Sequence, residues 1–599
     1  MSPDSKLRSR ANLITLSLDL TLFLALALTL SWLLVRNLDP AFAELAAGTQ
    51  ETVKFPWPVL LNAAPAVLLA VLLLALTRRG LFSIGLSMAF LYLLYFANAI
   101  KIELLDTPVL PGDFSLLGHM GGGSGAELLA HYLPSDQMAW FGGALLALMV
   151  LGIFDRAWIY LRGLPRLALL LVALAGGAGM IFNLQPVSSI YARNSGEFLA
   201  WSPLVSAKKN GLPVTLLNYL WRMRVASLPI NQTAADILIS AKPLPQAVPP
   251  ADELPDIIIL QSESFFDPAR LRKIGPHHLL PHLRKLQAQY RHGDLWVPTY
   301  GGGTIRTEFE VLTGLAMREF PTVQYPYFRL ANKEVVPGIA RTLAARGYQT
   351  LAIHPNTRDF WNRGATFERM GFDHFDADEQ FAGAERVGWY TSDAALTDHM
   401  INRLNEASGP LFMFAVSIEN HGPYAKFPGA DPERLAAQFI PEGLDEVATA
   451  QLRGYFYHLQ NADQSLGRLV ETLQQRKRRA LLLFYGDHLP AMPQVYSELG
   501  FDDGAPGPSQ PVPWLLVDTA KPPSASANES TASFYLPALL LDAAGIDDHG
   551  YFTLLDELRR DDRPGRDWTP ANGEGMRAIM RLRQLDQLSI GTQSSLQQR

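Results

Sequence analysis

The sequence predicts a multi-span α-helical membrane domain of about five transmembrane helices, followed by an α/β domain with a mostly parallel central sheet. Three observations carry this expectation. Five long apolar segments fill the first 184 residues; short apolar runs alternate with helical periodicity from residue 256 onward; and 599 residues exceed what one hydrophobic core organises. The expected organisation is a transmembrane domain over 1–184, juxtamembrane amphipathic helices and a Pro-rich linker over 185–250, and an extracytoplasmic catalytic domain over 251–550. A C-terminal extension, 551–599, follows, its end expected to be disordered.

The apolar segments are 13–35, 57–76, 81–100, 138–161 and 167–184, each near the ~20 residues that cross a hydrocarbon core as a helix. Lys6, Arg8 and Arg10 precede the first, which is long, lacks a small-residue cleavage site and is followed by further spans, so it reads as retained. Arg78 and Arg79 separate the second and third; Arg156, Arg162 and Arg166 separate the fourth and fifth. The connections 36–56 and 101–137 carry few cations, so the positive-inside bias puts the N-terminus in the cytoplasm and everything after residue 184 outside. The next stretch mixes Trp201, Leu216, Leu217, Leu220 and Trp221 with Lys208, Lys209, Arg222 and Arg224. It suits a helix lying in the headgroup layer or one packed on the soluble domain equally. Five prolines within 242–255 mark a stiff spacer.

Beyond it, 256–260, 349–353, 411–417, 480–485 and 514–517 read as buried parallel strands, and 281–290, 308–315, 336–346, 392–406, 451–475 and 532–544 as helices. In such sheets the ligand sits beyond the carboxyl ends of the strands. Glu263 follows the first strand there, Glu419 and His421 the third, and Asp487 and His488 the fourth.

Composition narrows the chemistry. With no cysteine, disulfides, thiolate metal sites and cysteine nucleophiles are excluded, and a net charge of −6 argues against nucleic-acid binding. Thr304 ends Tyr300-Gly-Gly-Gly-Thr304 and opens a helical stretch, a setting in which glycines let backbone approach a phosphate and a helix N-terminus favours its charge. A threonine hydroxyl is a poor nucleophile until a divalent cation removes its proton. Glu263, Asp487 and His488 supply oxygens and an imidazole suited to Mn²⁺, Mg²⁺ or Zn²⁺. Taken singly, the glycine run is more often a tight turn, the Thr an N-cap and Asp-His a strand-end turn; their coincidence at strand ends is what points to a site. In His354-Pro-Asn356-Thr-Arg358-Asp-Phe-Trp361-Asn-Arg363, Arg363 offers a bidentate fork for phosphate oxygens, His354 a hydrogen-bond donor to phosphate, and Trp361 a cover for a glycerol or sugar. His421 in His-Gly-Pro-Tyr424 is a candidate general acid.

These residues resemble the lipoteichoic acid synthase and phosphoglycerol transferase branch of the alkaline phosphatase/sulfatase superfamily, over essentially the whole chain. The most specific parts are Gln261-Ser-Glu263-Ser, Gly303-Thr304 with Glu308-Phe309, His354 to Arg363, His421-Gly-Pro-Tyr and Tyr485-Gly-Asp487-His488. The resemblance implies a sulfatase-like domain, Thr304 as nucleophile, and Glu263, Thr304, Asp487 and His488 as manganese ligands. It also implies His354, Asn356, Trp361, Arg363 and His421 around glycerol phosphate. Two departures stand out: Asn356 replaces an acidic residue, and Gly302-Gly303 replace a Gly-Lys pair. The implied reaction takes glycerol phosphate from phosphatidylglycerol through a threonyl intermediate to a periplasmic glucan, a glycolipid or a polyglycerolphosphate chain, at the outer face of a bacterial inner membrane. The alternatives are a phosphoethanolamine transferase acting on a glycolipid, which usually has a disulfide-rich outer domain, and an inactive envelope-assembly or lipid-sensing protein. A sulfatase is disfavoured, because no Cys can become formylglycine.

Overall fold

Internal contacts divide the computed structural model into two units, Met1–Ala226 and Ser227–Arg599. The structure describes residues 3–42, 57–105, 107–116, 135–158, 160–196, 198, 203–224, 230–241, 254–275, 279–331, 333–521, 524, 528–548, 550–566, 568, 573–588 and 590. Large parts of the predicted connections 36–56 and 101–137, Trp201, the Pro-rich spacer and the chain end lie outside them.

Among the described residues of the first unit, four helices are long and apolar enough to cross a membrane: Ile14–Leu38, Trp57–Thr77, Gly80–Glu103 and Leu164–Phe182. A further apolar helix accompanies them. The segment 138–161 is helical over Ser135–Phe154, but its described apolar stretch, Gly142–Phe154, is short of a full span. Just past its end, the Asp155 carboxylate accepts the Phe82 N–H at 2.9 Å. Trp57–Thr77 is the hub, packed against the first, third and last of the long helices. Its final carbonyls have no partner within the helix, and Arg166 donates to Ala75 O (2.7 Å) and Leu76 O (3.0 Å). The basic connections meet at one end, where the Trp158 N–H donates to Arg78 O at 2.8 Å.

The helices Pro203–Asn210 and Leu212–Arg224 belong to this same unit. Asn62, in the middle of an apolar helix, explains the attachment: its amide donates to Asn210 O (2.7 Å) and accepts the Val214 N–H (2.9 Å). Trp221 donates to Met180 O at 2.6 Å. Leu212–Arg224 packs on the apolar helices Trp57–Thr77 and Leu164–Phe182.

The second unit is built on an eight-stranded sheet. Its strands are β1 (Asp256–Ser262), β2 (Arg291–Trp296), β3 (Gln349–Ile353), β4 (His374–Asp376), β7 (Leu411–Val416), β8 (Ala480–Gly486), β9 (Val512–Asp518) and β10 (Asn528–Ala532); β5 (Arg386–Val387) and β6 (Tyr390–Thr391) form a separate hairpin. The order is β10-β2-β9-β8-β1-β7-β3-β4. Only β9 runs against the rest, pairing antiparallel with β8 and β2. The centre consists of continuous apolar runs because both faces are covered; Ile257, Ile258 and Ile259 are each fully buried, worth about 1.5–3 kcal/mol apiece. Seven strands consequently end at one edge, and the loops leaving them carry the candidate site.

The helix Ile305–Thr313 follows β2 and starts at that edge. Gly314 ends it in the left-handed region (φ 74°), and nearly every side chain on it is buried. Glu310, fully enclosed, accepts the Met317 N–H (2.6 Å) and the Ser533 hydroxyl. Burial pushes its pKa up to about 7. A carboxyl whose pKa is raised in the folded state binds its proton more tightly there than when unfolded. Its stabilising contribution is therefore full below pH ~4.5 and is lost as pH rises toward ~7, about 3 kcal/mol in all. Relative to Glu310→Gln, the wild-type chain should lose stability across that window and run parallel to the variant above pH 8, as measured by thermal unfolding at stepped pH.

Candidate active site

Strand pairing sets the acidic pair. Ser262 of β1 is registered with Gly486 of β8, so the next residues out, Glu263 and Asp487, emerge side by side, and the Asp487 N–H donates to Ser262 O at 3.3 Å. Gly486 has to be glycine: a Cβ there would sit 1.9 Å from Phe265 O. Glu263, Asp487 and His488 are all buried, with ligand atoms within 4.8 Å of one another.

The atoms facing each other are all electron-pair donors. His488 Nδ1 lies 2.9 Å from Leu489 O, which places the ring proton on Nδ1 and leaves a lone pair on Nε2. Nε2 is 3.5 Å from Glu263 Oε1 and 3.4 Å from Asp487 Oδ2. Asp487 Oδ2 and His488 Nε2 are buried without a hydrogen-bond partner. Burial, and then the Glu263 carboxylate, hold the Asp487 pKa well above the usual range. Buried acceptors without donors are costly, and a divalent cation beside Glu263 would satisfy both. The residues present therefore fit a metal.

Thr304 completes the group. It occupies the N-cap position of Ile305–Thr313, yet its side chain makes no capping bond; Oγ1 lies 3.5 Å from Glu263 Oε2. Gly301, Gly302 and Gly303 all have positive φ (67°, 152° and 75°), a path side-chain-bearing residues resist, which accounts for the glycine run. Two bonds hold this loop against the Asp487 loop: Gly301 N–H to Leu489 O (3.0 Å) and the Thr307 hydroxyl to Asp487 O (2.9 Å).

The remaining candidates lie at the same edge, with two corrections. Arg363 is fully buried, and its fork is already engaged by Glu308, through Nε to Oε2 (3.2 Å) and Nη2 to Oε1 (2.5 Å). Only Nη1, with its two N–H groups, is left without a partner, so the fork that the sequence offered to phosphate is occupied. Burial opposes the Arg363 charge, but Glu308, Tyr327 and Glu263 together outweigh it and its pKa is raised. His354 Nδ1 lies 3.1 Å from Val416 O, and burial followed by the nearby Arg363 holds its pKa well down. With the proton on Nδ1 of a neutral ring, the unpartnered Nε2 is an acceptor and not the donor expected from the sequence.

Trp361 is half-buried against Tyr325 (ring centroids 5.1 Å apart), and it and Asn362 take φ of 59° and 62°, unusual for side chains of this size. The Asn356 side-chain oxygen Oδ1 accepts the Thr357 N–H at 2.7 Å. His421 Nδ1 lies 2.7 Å from Gly422 O and 3.2 Å from Tyr390 Oη, which orients the ring.

Sequence reasoning missed the supporting layer. Glu308 accepts from Tyr327 Oη (2.8 Å) as well as from Arg363, and Ser417 Oγ accepts the Glu263 N–H (3.0 Å). Glu419 accepts from the Asp393 N–H (2.8 Å), His458 Nδ1 (3.1 Å) and Asn461 (2.6 Å). Burial, then Glu419, raise the Asp393 pKa well above normal. Of these, Glu308, quoted within a motif, and Glu419, placed at a strand end, left a signal in the sequence.

Comparison with known proteins agrees with this architecture. Residues 255–546 match the Sulfatase family. A Rhizobium meliloti (strain 1021) protein named for cyclic beta-1,2-glucan modification is 36% identical over 269 residues, 44% of this chain and 40% of that protein. A lipoteichoic acid synthase-like protein of Bacillus subtilis (strain 168) is 20% identical over 221 residues, 36% of this chain and 34% of its own length. The matched stretch spans less than half the length of each of these curated relatives. Among solved structures, the integral membrane lipooligosaccharide phosphoethanolamine transferase A from Neisseria meningitidis superposes with a TM-score of 0.54 at 12% identity, covering 91% of this chain and 99% of that one. That likeness concerns the fold: an apolar helical block together with an α/β domain. The strand order, the acidic pair at the β1 and β8 ends and the family match agree, and the chain carries, over residues 255–546, a domain of the sulfatase/alkaline phosphatase superfamily.

Proposed function

We propose that the chain is a membrane-bound phosphoglycerol transferase. It takes glycerol phosphate from phosphatidylglycerol, carries it on Thr304, and delivers it to an extracytoplasmic acceptor, a periplasmic glucan or a polyglycerolphosphate chain. One observation carries the reading: a threonine hydroxyl with no capping role lies 3.5 Å from Glu263, beside unpartnered, buried Asp487 Oδ2 and His488 Nε2. The glucan acceptor is suggested by the name of the Rhizobium relative. In this reading residues 1–184 lie in the bacterial inner membrane, 185–250 form the juxtamembrane part, and 251–550 work on the periplasmic side.

Glu263, Thr304, Asp487 and His488 would hold Mn²⁺, or Mg²⁺ or Zn²⁺. When bound, such an ion favours the deprotonated hydroxyl and offsets phosphoryl charge. Thr304 Oγ1 attacks the phosphorus, and the bond to the diacylglycerol oxygen breaks. His421, its ring oriented through Nδ1, gives that oxygen a proton from Nε2. The N-terminus of Ile305–Thr313 and Arg363 Nη1 stabilise the phosphoryl oxygens, His354 Nε2 accepts from a glycerol hydroxyl, and Asn356 and Trp361 border the glycerol. An acceptor hydroxyl then attacks the phosphorus, its proton passes to His421, and Thr304 is released.

The test supplies labelled phosphatidylglycerol and phosphatidylethanolamine separately to the full chain in detergent with Mn²⁺. The expected result is a glycerophosphoryl adduct on Thr304 by mass spectrometry, discharged by glucan. An adduct from phosphatidylethanolamine alone would move the protein to the phosphoethanolamine transferases; none from either lipid would remove the enzyme reading. Ion binding to the folded state should also raise the melting temperature. The expected stabilisation is about 2.7 kcal/mol at ~100 times the dissociation constant, reversed by chelation.

A further inference from the structure

We propose that Ser264 is the positioning residue for the acidic half of the metal site, an inference that rests on the metal reading above. Ser264 directly follows Glu263 and is buried, with φ 49°, in the left-handed region that serine seldom adopts. That conformation brings its two donors to two different carboxylates. The main-chain N–H donates to Asp487 Oδ1 at 2.8 Å, and the hydroxyl donates to Glu263 Oε1 at 2.8 Å. Its carbonyl accepts from Tyr455 Oη (3.0 Å) and Asn420 Nδ2 (3.3 Å), so the strained residue is pinned from behind by the helix Glu446–Gln475 and the loop after β7.

On Asp487 the oxygen that Ser264 engages is the one turned away from the centre; on Glu263 it engages Oε1, which also lies 3.5 Å from His488 Nε2. With Oδ1 taken, Asp487 keeps Oδ2 unpartnered; with Oε1 taken, Glu263 keeps Oε2 toward Thr304. One residue thus holds the rotation of both carboxylates and leaves Asp487 Oδ2 free to face a cation. Partners of this kind around metal ligands typically change affinity by about 10- to 100-fold when removed.

The test is Mn²⁺ binding to the full chain in detergent by titration calorimetry, with melting temperature recorded without ion. Ser264→Ala removes the hydroxyl and keeps the strained backbone. Ser264→Gly also removes the hydroxyl but takes φ 49° without strain and keeps the N–H on Asp487. Both variants are expected to bind Mn²⁺ about 10- to 100-fold more weakly than wild type, the glycine variant with no lower melting temperature than the alanine one. If Ser264→Ala fails to fold, the glycine variant alone decides. Wild-type affinity in either variant would overturn the positioning role, since the hydroxyl would then contribute nothing. A wild-type chain that binds no divalent ion would overturn instead the metal reading beneath it.

Discussion

Thr304→Ala should abolish donor turnover, by on the order of 10³-fold or more, and leave no adduct on the protein. The substitution also separates chemistry from folding. A threonine at a helix N-cap ordinarily contributes ~1 kcal/mol through its capping bond, but the Thr304 side chain makes none. The alanine variant should therefore melt close to wild type while losing activity. Thr304→Ser, which retains the hydroxyl, should recover measurable turnover. Lipid turnover undiminished in Thr304→Ala would place the nucleophile elsewhere.

The largest stability effect is expected at Glu308, four residues along the same helix. The Arg363–Glu308 pair is essentially sealed from solvent, at 1% and 0% side-chain exposure. Glu308→Ala would leave a guanidinium buried with no counter-charge and the Tyr327 hydroxyl without its acceptor, at a cost of about 3–5 kcal/mol. Replacing both partners, Glu308→Met with Arg363→Met, removes the stranded charge and should recover most of the lost stability without activity. The check is denaturant unfolding of the full chain for the single and double variants. A single variant as stable as wild type would mean the pair is not closed off as described.

Much of this was legible in the sequence for a physical reason. Strands buried on both faces must be continuous apolar runs, so β1, β3, β7 and β8 announce themselves, and parallel strands bring Glu263, Asp487 and His488 to one edge. The strands that went unread are polar or very short: β2 is Arg-His-Gly-Asp-Leu-Trp and β10 is Asn-Glu-Ser-Thr-Ala, both only partly buried, while β4 has three residues and β5 and β6 two each. Within the site, residue types pointed to the chemistry but not to which atoms remain available. That depends on competition among neighbours: Glu308 claims the Arg363 fork, Val416 O fixes the His354 tautomer, and Ser264 takes one oxygen from each carboxylate. Spacing carries no trace of such choices. Nor does it show that Asn62 fastens the Leu212–Arg224 helix to the apolar block, since the residues it bonds are about 150 positions away.

The seclusion of Thr304 bears on fidelity. Only 7% of that residue is exposed, and Asp487 beside it is wholly enclosed. An ester formed there would meet few solvent molecules, so stray hydrolysis is held back by access and not by any intrinsic reluctance of the bond. Whichever alcohol the surrounding walls admit would decide the product.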